Sequence, residues 1–474
     1  MFITYQILFP LVFIILLLEF IVPKKLRSFI LLTLSFFLYY ISGTASFFIL
    51  PAVGIISYAV TMVMEKIKAP SVKKALLTAS IAVIVALLIV FRYTGIKNMA
   101  PIGLSFFALE AISYISDCYN GKIKPEKNPL YVLLYIAFFP TVISGPIERG
   151  GNLIPQFRKL DASSRKELFD INRLCDNAII IIFGMFVKLV IADRLSLVSD
   201  HIFSTYYRYG TTVLIIGAVC FGMQLYCDFM AYSHIALGIA GMFDISIMDN
   251  FKAPYLSVSI TDFWRRWHIS LSSWLRDYIY IPLGGNRKGK LRKYLNTFIT
   301  FAISGIWHGS GLSFLIWGVL HGLFNMFENI FTDIGIMKKN KSDIPFGGRL
   351  LRSIITFVLV DFAWIFFKAD SAQHACSYII QMFTVKDFWI LSDMDKLFSL
   401  GLGVQEVLIL FFALLVLGGI DYVTYKNALR VDRWLNIQGS VFRVVFTLAI
   451  LLYTIVFGLY GEKADPASFY YMSF

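Results

Sequence analysis

Apolar runs recur along the whole chain, at 3–22, 29–42, 46–64, 75–91, 103–117, 177–193, 212–243, 295–307, 311–333, 353–367, 404–424 and 441–460. A helix needs about 20 apolar residues to cross the ~30 Å hydrocarbon core of a bilayer. The pattern therefore predicts an all-α polytopic membrane protein with about 11–12 transmembrane helices. The run 212–243 is long enough to tilt or break. The run 3–22 lacks the charged leader and small-residue cleavage site of a signal peptide, so it reads as a retained first helix.

The polar intervals set an orientation. Lys24, Lys25 and Arg27 follow the first run, and basic loops at 65–74, 122–127, 286–293, 338–352 and 426–433 can all face the cytoplasm together. That arrangement follows the positive-inside rule and puts the N-terminus outside. The segment 130–147 has basic flanks on both sides and breaks at Pro140 and Gly145-Pro146. It is expected to enter and return, since broken backbone at membrane depth must be buried in protein or line a cavity. The segment 261–281 carries five charges and reads as one amphipathic helix. Phe263, Trp264, Trp267, Leu271, Trp274, Leu275 and Tyr278 share one face, Asp262, Arg265, Arg266, Arg276 and Asp277 the other, and His268 falls on the border. Pro282 and Gly284-Gly285 should end it.

Composition agrees with a membrane domain: 58% hydrophobic, 15% charged, and a mean hydropathy of +0.71. With no repeat and no linker apparent, we read 1–474 as a single membrane-embedded domain. Within it, 1–90 supply peripheral helices, 91–370 the core, and 371–474 a C-terminal loop and helices. The net charge of +13 sits in short loops with no nucleic-acid-binding motif, so it reads as a topology signal. The five cysteines form no metal pattern, and Cys220 and Cys227 lie two helical turns apart, too far for a disulfide. No metal site is expected.

Six histidines are few enough to weigh singly. His201 and His374 fall in expected loops. His308 sits in SGIWHGSG at the outer end of one run, where Gly305, Gly309 and Gly311 permit close backbone approach. A buried imidazole there stays neutral and suits a general base for a hydroxyl, or else a structural bond between helices. His321, Asn325 and Glu328 form a polar stripe on the next helix, and Gln224, Asp228 and Tyr232 form another, near His234. Each stripe lines a cavity or joins helices. The loop 286–293 holds five cations, which either anchor topology or receive the phosphates of a donor.

The stretch from Asn250 to Gly322, with FWRRWHISLSSWLRDY, IPLGGNRKG and SGIWHGSGLSFLIWGVLHG, resembles the membrane-bound O-acyltransferase family. Its branch with the alginate O-acetyltransferase membrane subunit and peptidoglycan-acetylating relatives is nearest, and the teichoic acid D-alanyl transfer proteins are cousins. PIGLSFFALEAISYISDCYNG, FFPTVISGPIERGGNLIPQFRK, DFAWIFFKAD and the closing FYYMSF extend the likeness from about residue 90 onward. One departure is CDFMAYSHIALG at 227–238, where the family pattern is CDFAGYSDIAIG, so no role is carried onto His234.

The resemblance implies an acyltransferase built around a central tunnel, with His308 as the catalytic histidine and His268 as the second family position. Asp262, Arg265, Arg266 and Arg276 would shape the donor mouth. Trp267, Trp307, His321 and Asn325 would complete the substrate-binding set. No tightly bound cofactor is implied; acetyl-CoA or another acyl thioester would be the donor, entering from the cytoplasm. Membrane lipid, an extracellular or cell-wall polysaccharide acceptor and an extracytoplasmic acetyltransferase would be the partners, in a bacterial inner membrane. D-alanyl transfer to teichoic acid, or transport of a lipid-linked sugar without acyl chemistry, are the alternatives.

Overall fold

Within an apolar medium every backbone N–H and C=O must be satisfied inside its own segment, which leaves the helix as the form these runs can take. The computed structural model describes residues 10, 12–14, 16, 17, 21–41, 47–93, 101–164, 170–336 and 345–460. Most of the run 3–22 and the closing FYYMSF lie outside the described residues. The protein is an all-α polytopic membrane protein.

Among the described residues eight helices are long and apolar enough to cross a membrane: Ile49–Lys66, Pro70–Tyr93, Ile171–Ser204, Thr211–Met242, Leu312–Asp333, Gly347–Lys368, Val404–Asn427 and Ser440–Phe457. Four of the runs are not among these eight: most of 3–22 lies outside the described residues, and the other three form helices that are short or begin with a basic turn. The runs 29–42 and 103–117 form helices of 15 and 16 residues, Arg27–Ile41 and Leu104–Tyr119. At 1.5 Å per residue these reach only about 22–24 Å. The run 295–307 belongs to Lys290–His308, whose first turn is basic.

The described residues fall into two compact units, one from those up to Ile181 and Tyr232–Asp249, the other from Ile182–Ala231 and those from Asn250 onward. In the first, the segment 130–147 breaks as expected. Asn128 caps the short helix Pro129–Ala137, with Pro at its first turn, and turns follow through Ser144. A Cβ on Gly145 would sit 2.4 Å from the Pro140 carbonyl oxygen. The broken backbone is buried: Tyr135, Ile136 and Phe138 have no exposure. Buried acids hold it. Glu110 Oε1 accepts from the Glu148 N–H at 3.1 Å, and Glu148 accepts from Asn152 at 2.8 Å and from the Met248 N–H.

The second unit is organised by a hairpin of two helices, Lys290–His308 and Leu312–Asp333, with Phe346–Lys368 beside it. Small residues let the hairpin close. A Cβ on Gly305 would meet the Phe314 carbonyl oxygen at 2.4 Å, and one on Gly318 would meet the Phe301 carbonyl oxygen at 2.4 Å. The two backbones therefore touch, as small residues allow in membrane helices. In the same unit a π-helical turn, Val187–Ala192, puts residues five apart on one face. Lys188 Nζ thereby reaches Asp193 at 2.9 Å as well as Asp228 at 2.6 Å, all three nearly buried.

Candidate active site

The segment 261–281 is not one helix, and this corrects the sequence reading. It is helical at Ile260–Trp264, turns, and resumes as Ile269–Leu275 and a π-helical Arg276–Tyr280. The break has a visible cause. The preceding strand of chain pairs with it, Lys252 N–H donating to the Arg266 carbonyl and Ile269 N–H to the Asn250 carbonyl, both at 3.0 Å. His268 takes a left-handed backbone, φ 44°, which few non-glycine residues adopt. It lies on no border: it is fully buried, as are Trp267 and Leu271. Burial alone pushes its imidazole down to about 3, so the ring is neutral. The last helical turn ends at Tyr280, just before Pro282 and the Gly284-Gly285 turn, both glycines having positive φ.

His308 closes the first helix of the hairpin, 4% exposed, and is walled by rings. Its centroid lies 4.8 Å from Trp307, 4.8 Å from Trp317 and 5.3 Å from Phe367, each approach near edge-to-face. Trp317 stacks on Trp364 at 5.5 Å, and Trp364 meets Trp267 at 5.0 Å. On the other side Trp307 lies 6.4 Å from His268, whose ring also meets Phe229 edge-to-face at 4.6 Å. The aromatic shell thus joins the two histidines into one site.

The stripe His321–Asn325–Glu328 joins helices. His321 Nδ1 accepts from Trp264 Nε1 at 3.3 Å, Asn325 accepts from the Thr261 hydroxyl at 3.2 Å, and Glu328 accepts from the Ile260 N–H at 2.6 Å. It therefore braces the first turn of Ile260–Trp264 against the hairpin. His321 also lies 5.0 Å from Trp317. The second stripe is likewise engaged: Gln224 accepts from Ser199 at 2.5 Å, and Asp228 pairs with Lys188.

Of the predicted donor-mouth charges, Asp262 and Arg266 pair at 3.0 Å. Arg266 also donates to the Lys252 carbonyl and lies 4.5 Å over the Tyr425 ring. Arg265 and Arg276 are exposed, and Arg276 pairs with Asp277 at 2.9 Å. His201 and His374 are helical rather than in loops. His201 bonds Tyr209 at 2.9 Å and His374 the Phe203 carbonyl at 3.2 Å, so both are structural contacts.

Sequence reasoning missed Asn250, whose side chain faces His268 at 3.4 Å, and Lys188. A signal existed for Lys188: it is the lone cation inside the apolar run 177–193. For Asn250 there was none, because its partners lie 18 and more residues away.

The model of the MBOAT, membrane-bound O-acyltransferase, family matches residues 122–335. A probable alginate O-acetylase of Pseudomonas syringae is 38% identical over 329 residues, 69% of this chain and 60% of that protein. A probable alginate O-acetylase of Pseudomonas putida is 35% identical over 384 residues, 79% of this chain and 75% of that protein. A peptidoglycan O-acetyltransferase of Helicobacter pylori is 30% identical over 361 residues, 68% of this chain and 67% of that protein.

Proposed function

The chain belongs to the membrane-bound O-acyltransferase family, and from that premise we propose that it moves an acetyl group from a cytoplasmic thioester to a hydroxyl of an extracellular or cell-wall polysaccharide. The observation that carries this is the enclosure of His308. A nearly buried imidazole at a helix end, in an aromatic shell, is suited to take the proton of an attacking hydroxyl. The hydroxyl oxygen bonds to the thioester carbonyl carbon, the C–S bond breaks, and the leaving sulfur takes the proton that His308 removed. The products are an ester and a thiol. The thioester supplies the activated acyl group, so no bound cofactor is needed.

Acetyl-CoA or a carrier-bound acetyl thioester is the donor. It reaches His308 by a protein-lined tunnel from the cytoplasmic side, past His268, while the acceptor enters from outside. Arg265, exposed beside the Asp262–Arg266 pair, and the cations of 286–293 would meet the donor's phosphates. The bacterial inner membrane is the setting, with the N-terminus outside and an extracytoplasmic acetyltransferase as partner. Names carried by two of the relatives, alginate O-acetylase and peptidoglycan O-acetyltransferase, favour acetyl over D-alanyl.

The test is made in inverted membrane vesicles bearing the chain, supplied with radiolabelled acetyl-CoA. Base-labile label should appear in lumenal polymer only when the chain is present. Label independent of the chain would reject the reading.

A further inference from the structure

We propose that the helix Ala372–Thr384 and the 3₁₀ turn Phe388–Ser392 form a lipid-docking surface lying in the outer-leaflet interface of the membrane, one side in lipid and another in water. The orientation given above supplies the choice of leaflet; the acyl chemistry plays no part.

Spacing gives the helix three sides. Ala375, Tyr378 and Met382, at i, i+3 and i+7, are buried against the protein. Cys376, Ile380 and Phe383, at i, i+4 and i+7, are exposed, the last two at 62% and 64%. Gln373, Ser377 and Thr384 make a third side, exposed and polar. From Ser371 to Val385 the sequence holds no Asp, Glu, Lys or Arg. Helix sides that meet water carry polar and charged residues, so the apolar side calls for a cover.

Its exposure is fixed by bonds on the other sides. Tyr378 donates to the Leu214 carbonyl at 2.6 Å and stacks on Phe203 at 4.4 Å. Gln381 donates to the Tyr209 carbonyl at 3.0 Å. Just beyond the helix, the Asp387 carboxylate accepts from the Gly210 and Thr212 N–H groups at 2.9 and 2.6 Å. Turning Ile380 and Phe383 inward would break these contacts.

Position in the chain decides what the cover is. The span Gly347–Lys368 ends three residues before Ala372, a reach of about 10 Å. The chain then re-enters the membrane as Val404–Asn427. Both ends of the segment are therefore tied to one membrane face. Interfacial helices sink their apolar side about 5–10 Å into the headgroup and acyl boundary, which is the depth at which a span ends. The 3₁₀ turn adds exposed Phe388, Trp389 and Leu391 around buried Ile390, and the Lys396 ammonium lies 4.3 Å over the Trp389 ring. Tryptophan and lysine side chains anchor at that same level. The apolar side has no charge with which to fix a protein partner's register, and lipid needs none. Gln381 and His374, whose ring lies 4.8 Å from that of Tyr206, hold the loop Thr205–Tyr209 beside the polar side. Lipid contact thus sets the height of that loop at the membrane surface.

Collision EPR on the full chain in lipid nanodiscs tests this. Cys175→Ser leaves Cys376 as the exposed cysteine for a nitroxide. Adding Cys376→Ser gives the labelling background, and from that chain the label moves to Ile380→Cys, Phe383→Cys or Ser377→Cys. Labels at 376, 380 and 383 should collide more with oxygen, which concentrates in lipid, than with a neutral nickel chelate, which stays in water. At 377 the order should reverse. Chelate contact above oxygen contact at 380 and 383 overturns the proposal, and would leave that side for a soluble partner. Low contact with both probes means that protein covers it, a second copy included, and overturns it equally.

In intact cells an impermeant maleimide should reach Ser377→Cys, whereas labelling only after lysis would overturn the outer-leaflet placement. Where an introduced cysteine prevents accumulation, Cys376 in the Cys175→Ser chain decides. None of these readouts depends on acyl transfer, which His308→Ala tests by itself.

Discussion

His268 and His308 pack against the same indole: their ring centroids lie 6.4 and 4.8 Å from that of Trp307. The pair comes from different elements, a left-handed turn and a helix end, so their spacing is set by tertiary structure. Trp307 is half-buried. Trp307→Ala should lower acylation by up to about 10²-fold, the scale on which small misplacements of reacting groups act. Trp307→Phe should retain most of it. Chain abundance in the membrane, measured beside polymer ester content, separates lost chemistry from lost protein.

The hairpin under His308 depends on glycine. A methyl at 305 would overlap the Phe314 carbonyl, which is backbone and cannot swing away. Gly305→Ala should cost about 1–3 kcal/mol, as overpacking does, and displace His308 from Trp317. Thermal unfolding in detergent should show a lowered midpoint. Gly347→Ala, where a Cβ meets nothing within 4 Å, should leave the midpoint unchanged.

Lys188, Asp193 and Asp228 form a buried ion cluster. Removing the cation leaves two carboxylates facing each other in an apolar surround, and breaking a buried pair costs about 3–5 kcal/mol. Lys188→Met should therefore strip folded protein from the membrane. Adding Asp228→Leu should restore part of it. Fluorescence-detected size-exclusion profiles of tagged chains read the outcome.

The orientation proposed for the chain puts the loops at 65–74, 286–293 and 338–352 in the cytoplasm, because each is basic and flanked by apolar runs. Single cysteines there should resist an impermeant thiol reagent in intact cells and react after lysis. Labelling of two of the three from outside would reverse the topology.

The membrane class, the break at 138–147 and the glycine-flanked His308 were legible in the sequence. Those features are written in local runs and local breakers. The interruption at His268 was hidden, since 261–281 keeps a helical period while a chain segment 14–19 residues earlier competes for its backbone. The aromatic shell was hidden for the same reason. Trp317 and Phe367 look like ordinary span residues until two helices bring them around one imidazole, with Trp364 stacked on Trp317. Polar stripes were legible as polar, but only the fold shows that His321, Asn325 and Glu328 brace the Ile260 turn.

Whether His308 drives acetylation of a surface polymer is read by mass spectrometry of that polymer. Cells lacking the chain are complemented with wild type or His308→Ala, matched for protein in the membrane, and released acetate and D-alanine are both quantified. Ester acetate should fall by at least about 10²-fold with His308→Ala, while D-alanine is unchanged. Acetate retained near the wild-type level, in cells where His308→Ala accumulates normally, would contradict it.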